Sequence, residues 1–252
     1  MIWNAKPEFW NKHSPVLFPI VGSLKNNTYH YKDEVYKMSR HGFARDFNFT
    51  LIDQQTDTCT FSLKQSSDTL LLYPFKFELQ IKYSLQDKQL LVEYKVSNPN
   101  DFTMPFSLGA HPAFALSEPF ENYSIEMEAD DSLVHHLLDE GLLTETTESI
   151  NLPNNMLPLS YSLFEKDALV IKNLKSTWLT ILKNEKPFVK VEFNEFPHLG
   201  IWTKANAPFI CIEPWQGYSD SSESTGDLFK KEGIVCLESG AEWNASFGIE
   251  VY

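Results

Sequence analysis

Phe75-Lys-Phe-Glu-Leu-Gln-Ile-Lys-Tyr-Ser-Leu85 alternates apolar and polar residues almost without fault, the period-two pattern of a strand with one buried face. Asp87-Lys88 reads as a turn, and Leu90-Leu-Val-Glu-Tyr-Lys-Val96 as the returning arm of a hairpin. Similar runs recur at residues 47–52, 58–63, 123–127, 178–182, 188–193, 209–213 and 246–251. Helical periodicity is scarce, and single turns at 7–10 and 163–166 are the best candidates. Many short strands joined by polar turns predict an all-β sandwich or barrel. No repeat, low-complexity linker or composition break divides the 252 residues, so one domain over 1–252 is expected.

Composition narrows the function classes. Aromatics make up 14% of the chain, which suits β structure and a cleft that stacks flat groups. The net charge of −13 argues against a nucleic-acid backbone or an anionic membrane as partner. No apolar run approaches the roughly 20 residues of a membrane span, and no basic-then-apolar leader is seen; a cytoplasmic protein is expected. Cys59, Cys211 and Cys236 lack metal-ligand spacing and each lies in an apolar run, so all three are expected as reduced core residues, with no metal site. The polar stretches at 144–149 and 219–226 read as solvated segments, and His135-His136 as surface or loop residues.

Two segments carry the chemistry. In Gly109-Ala110-His111-Pro112-Ala113-Phe114, taken within a strand over 106–114, alternation places His111 on a face shared with Ser107, Gly109 and Ala113. Such small neighbours leave open volume beside the ring, and Pro112 marks a strand end of the kind found at a cleft. In Phe209-Ile-Cys-Ile-Glu-Pro-Trp215, Glu213 shares its face with Phe209, Cys211 and Trp215. A carboxylate on an apolar face loses hydration, which raises its pKa and makes it a better base near neutrality. Trp215 is placed either to stack on a sugar or to pack. In Ser39-Arg-His-Gly-Phe-Ala-Arg45, the side chains of Arg40, His41 and Arg45 surround Gly42 and suit hydroxyl groups or an anion.

These segments in this order, together with residues 10–23 (Trp-Asn-Lys-His-Ser-Pro-Val-Leu-Phe-Pro-Ile-Val-Gly-Ser), resemble the aldose 1-epimerase (galactose mutarotase-like) superfamily, and its LacX-like branch in particular. The resemblance covers essentially the whole chain. It implies a large antiparallel β-sandwich with a sugar cleft on a concave sheet, His111 as general acid, Glu213 as general base and His41 as a substrate-orienting histidine. Asp167 falls near an acidic residue that binds sugar hydroxyls. The implied reaction opens and recloses a hexose ring with one acid and one base on opposite sides of the reacting centre, and no cofactor. The expected partner is a small sugar, on a monomer or homodimer. The chain departs from the family at Ser23, where many relatives carry a sugar-binding arginine, and in starting at Met1-Ile-Trp-Asn without the usual N-terminal strands. A carbohydrate-binding protein with little turnover and a hexose-phosphate 1-epimerase, its phosphate held by Arg40 and Arg45, are the alternatives.

Overall fold

The computed structural model describes all residues, 1–252, and consists almost entirely of antiparallel sheet. One sheet of nine strands runs in the order Met156–Pro158, Tyr123–Met127, Trp178–Lys183, Lys186–Glu192, Glu242–Val251, Gln89–Ser97, Glu78–Gln86, Thr58–Lys64, Thr50–Gln54. The opening hairpin of the sequence lies in it, with Ile81 across from Tyr94 and Asp87 in the left-handed conformation at the turn. A second sheet of eight strands carries, side by side, Val16–Leu17, Leu108–Ala110, Phe209–Gln216, His198–Trp202, Leu169–Ile171, Ser132–Asp139 and Leu142–Asn151; Ala113–Ala115 also pairs with Phe209–Gln216. Leu79, Ile81, Val92, Val96 and Ile181 from the first sheet meet Leu108, Ala110, Leu199, Ile210 and Ile212 from the second in one hydrophobic core. Their alternation leaves Phe209, Cys211, Glu213 and Trp215 on the face of the second sheet turned away from that core.

Several sequence expectations change. The segment 106–114 is not one strand. Met104–Phe106 pairs with Val235–Leu237, the chain changes partner at Ser107, and pairing breaks again at His111-Pro112. Residues 7–10 form a single hydrogen-bonded turn, Trp10 N–H donating to Lys6 O, and Tyr161–Phe164 is a short 3-10 helix. The one α-helix, Ser67–Leu72, is set by a capping box: Ser66 Oγ accepts from Thr69 N–H while Thr69 Oγ1 accepts from Ser66 N–H. His135 and His136 lie in the Ser132–Asp139 strand rather than a loop, and His135 is buried. The 144–149 stretch belongs to its hairpin partner, Leu142–Asn151. Cys236, in a three-residue strand of a two-stranded sheet, is exposed, and Cys59, one strand from the edge of the nine-stranded sheet, is half-buried, so the core-thiol expectation holds for Cys211 alone.

Residues 1–3 run antiparallel along the outer edge of Ala113–Ala115. Trp3 N–H donates to Ala113 O, and the Trp3 ring packs on Phe209 at 4.7 Å. Trp3 Nε1 then donates to Trp10 O (2.8 Å), which fixes where the turn delivers Trp10. No helix is long and apolar enough to cross a membrane.

Candidate active site

Gly109 pairs with Trp215 and Ala113 with Cys211 in one common register, so His111 stands directly across from Glu213 at the break between them. The partner strand on the other side sets Gly200 beside Glu213. The Trp215 indole reaches over both glycines, Gly109 across from it and Gly200 diagonal to it, and this is a packing requirement: a Cβ on Gly200 would lie 2.5 Å from the indole and one on Gly109 2.6 Å from it. The indole lies across both strands, over the side-chain positions that Gly109 and Gly200 leave empty. Trp10 covers one face of His111, the two rings stacked at 4.7 Å. The space beside the imidazole is thus closed by Trp10 on one ring face and left to the cleft elsewhere.

A cleft of about 300 Å³ lies over this wall, lined by Trp10, Arg40, His41, Arg45, His111, Asp167, Ala168, Trp202, Glu213 and Trp215. All seven residues singled out in the sequence, Arg40, His41, Arg45, His111, Asp167, Glu213 and Trp215, come together here. Trp10 and Trp202 were missed as site residues. Trp10 opens the stretch that carries the resemblance, and Trp202 alternates outward from Leu199 and Ile201, so alternation was the signal available for it. Ser23 is buried outside the cleft, its N–H bonded to Ser219 Oγ and its hydroxyl 3.0 Å from where a Cβ on Gly141 would lie.

Backbone geometry aims the His41 side chain. His41 and Gly42 both take left-handed dihedrals, and a Cβ on Gly42 would sit 2.1 Å from Phe18 O, so this turn requires glycine. Phe43 and Ala44 N–H both donate to that same carbonyl. Gly22 N–H donates to His41 Nδ1 (3.1 Å) and Arg40 Nε–H approaches Nε2 as a donor (3.3 Å); a neutral ring accepts at only one of these nitrogens, so the two donors compete for its lone pair. Burial, then His111 and the two arginines, hold the His41 pKa well below the ordinary histidine value. Arg45 Nη2 donates to Arg40 O (2.7 Å), and Arg40 Nη1 lies 3.9 Å from Asp167 Oδ2. Asp167 itself takes a left-handed dihedral and accepts from Ala168 N–H.

His111 Nε2 and Glu213 Oε2 are 3.2 Å apart, without the alignment of a hydrogen bond. Glu213 is 2% exposed and His111 7%. Burial pushes Glu213 well above the usual carboxylate range, with Asp167 adding to the effect and Arg40 opposing it. Burial also pulls His111 down to about 3, with Arg40 and Arg45 adding to that. Each group is pushed toward its uncharged form. The two reactive atoms share one wall of the cleft, which corrects the opposite-sides arrangement: residues across from each other on adjacent strands stand side by side.

The profile of the aldose 1-epimerase family matches residues 1–249. Protein LacX of Lactococcus lactis subsp. lactis, in its chromosomal form, is 38% identical over 249 residues, covering 93% of this chain and 83% of the relative. A galactose mutarotase related enzyme from Lactobacillus acidophilus superposes with a TM-score of 0.94 at 35% identity, over 100% of this chain and 86% of that one. A galactose mutarotase-like protein from Lactobacillus casei gives 0.90 at 30% identity, over 100% and 89%. The chain belongs to the aldose 1-epimerase family and has its galactose mutarotase-like β-sandwich fold.

Proposed function

We propose that this chain interconverts the α and β anomers of a free hexose, with Glu213 and His111 moving the protons. The observation that carries this reading is the 3.2 Å pairing of a carboxyl and an imidazole, both buried, in a cleft of sugar size walled by tryptophans. A hemiacetal bears its hydroxyl and its ring oxygen on one carbon, so an acid and a base on one wall reach both. Glu213, as carboxylate, takes the proton of the anomeric hydroxyl while His111, as imidazolium, gives one to the ring oxygen; the C1–O5 bond breaks and the aldehyde forms. Rotation about C1–C2 and the reverse proton transfers close the ring on the other face.

The burial that perturbs both groups works in favour of this step. A carboxylate of raised pKa is a stronger base, and an imidazolium of lowered pKa a stronger acid. Ring opening leaves both uncharged, the state burial favours. The charged pair arises by transfer of one proton from Glu213 to His111 with no change in net charge; Arg40 supports the carboxylate, and the stacked face of Trp10 supports the imidazolium. His41, Arg40 and Asp167 offer donors and acceptors to the remaining hydroxyls. Arg40 and Arg45 sit in the same cleft, which keeps a hexose phosphate as the second reading.

The test is anomer exchange followed by NMR, with glucose, galactose and their 6-phosphates each supplied to the full chain. Exchange faster than in buffer, lost by at least about 10²-fold in Glu213→Gln with the fold intact, is the expected result. Sugar binding without accelerated exchange would leave a carbohydrate-binding protein instead.

A further inference from the structure

We propose that His111, Cys211 and Glu213 form a binding site for a thiophilic divalent cation of the zinc type, whose occupation takes the proton-handling pair out of use. Cys211 and Glu213 alternate onto the same face of Phe209–Gln216, and His111 stands across from Glu213 with Ala113 across from Cys211. The register therefore gathers an imidazole nitrogen, a thiol sulfur and a carboxylate oxygen from two adjacent strands, all within 4.8 Å of one another.

The separation of His111 Nε2 and Glu213 Oε2, 3.2 Å, is close to the edge of a tetrahedron drawn with metal bonds of about 2.0–2.1 Å. Glu213 Oε2 is buried and has no hydrogen-bond partner, so it is an acceptor in need of a cation or a proton. A mixed nitrogen, sulfur and oxygen set suits zinc or cadmium and excludes magnesium and calcium, which take oxygen ligands.

Charge closes as well. A neutral imidazole, a thiolate and a carboxylate cancel the two positive charges of the ion, so the occupied site stays neutral where a net charge would be costly. The protons leaving the thiol and the carboxyl pass to solvent. Glu213 and His111 line the cleft, which gives the ion its entry, while the Cys211 thiol is fully buried and outside the cleft lining. Arg40 and Arg45 oppose that entry and Asp167 favours it. Cys211 has no part in anomer exchange, and the site does not depend on that reading.

The experiment titrates the full chain with cadmium, following the ultraviolet thiolate-to-cadmium charge-transfer band, and measures zinc affinity by competition. The parent and the Cys59→Ser/Cys236→Ser double variant should show the band, and zinc should abolish it. Cys211→Ser and Cys211→Ala should lose it, and Glu213→Gln should weaken zinc by more than the roughly 100-fold that loss of an outer-shell partner costs. Anomer exchange, where present, should be slowed by zinc in the parent, restored by chelator, and be indifferent to zinc in Cys211→Ser. A band that follows Cys59 or Cys236, or zinc affinity unchanged in folded Glu213→Gln, would overturn the assignment. Absence of anomer exchange with the band intact would remove the enzymatic reading and leave the metal site standing.

Discussion

Glu213 is buried in a form that solution disfavours near neutral pH, and His111 in one that solution disfavours below about pH 6.5, and folding stability must carry each cost. Glu213 has a raised native pKa, so above about pH 4.5 the unfolded chain releases a proton the native state keeps, and stability falls as pH rises. His111 has a lowered one, so stability falls as pH drops below about 6.5. The two variants should therefore behave oppositely. Glu213→Gln should gain on the parent as pH rises from 4.5, and His111→Gln as pH falls from 6.5, each by up to about 1.4 kcal/mol per pH unit. Thermal melts across pH 4–8 check this; equal and pH-independent gains would remove the burial argument. Gly200→Ala should cost about 1–3 kcal/mol, because its Cβ cannot share the space of Trp215. Denaturant unfolding measures that cost, and anomer exchange should fall with it as the indole shifts against the pair.

Among the elements, the segment after the Phe209–Gln216 strand departs most from expectation. The 219–226 stretch is solvated only in its second half. Asp220 and Lys231 form an ion pair at 2.9 Å with side chains 3% and 2% exposed, and Lys231 Nζ also donates to Tyr218 O. Asp220 further accepts from Lys25 N–H, and its own N–H donates to Ser23 O, so the pair anchors the segment behind Gly22 that orients His41. Asp220→Asn should destabilise by about 3–5 kcal/mol, because it strands a buried ammonium, while Asp220→Asn/Lys231→Met should recover much of the loss. A double-mutant cycle in denaturant is the check; simple additivity would show that the pair is not coupled. Alternation alone sufficed for elements with one buried face, such as Tyr123–Met127, found with its sequence-derived bounds. It failed at 106–114, where side chains continue to alternate while the backbone changes partner, and at Leu142–Asn151, whose outward polar residues mask the strand.

At the scale of the whole molecule, the site depends on residues 1–10 wrapping the second sheet. Trp3 is 2% exposed, packs on Phe209 and holds Trp10 by its carbonyl, so Trp3→Ala should cost about 3–5 kcal/mol and also free the ring stacked on His111. Trp3→Phe should retain more packing but lose the hydrogen bond. Calorimetry and anomer exchange on both variants separate the two contributions.

The sequence by itself determined the sheet class, the inward and outward faces of the Phe209–Gln216 strand and the identity of the residues able to handle protons, because side-chain alternation and burial preference act over a few residues. Only the tertiary structure decided that His111 faces Glu213 on one wall, that Trp10 covers one face of the imidazole, and that Ser23 is buried outside the cleft. Those outcomes rest on strand register and on a terminal arm, contacts between segments about a hundred residues apart that no local pattern encodes.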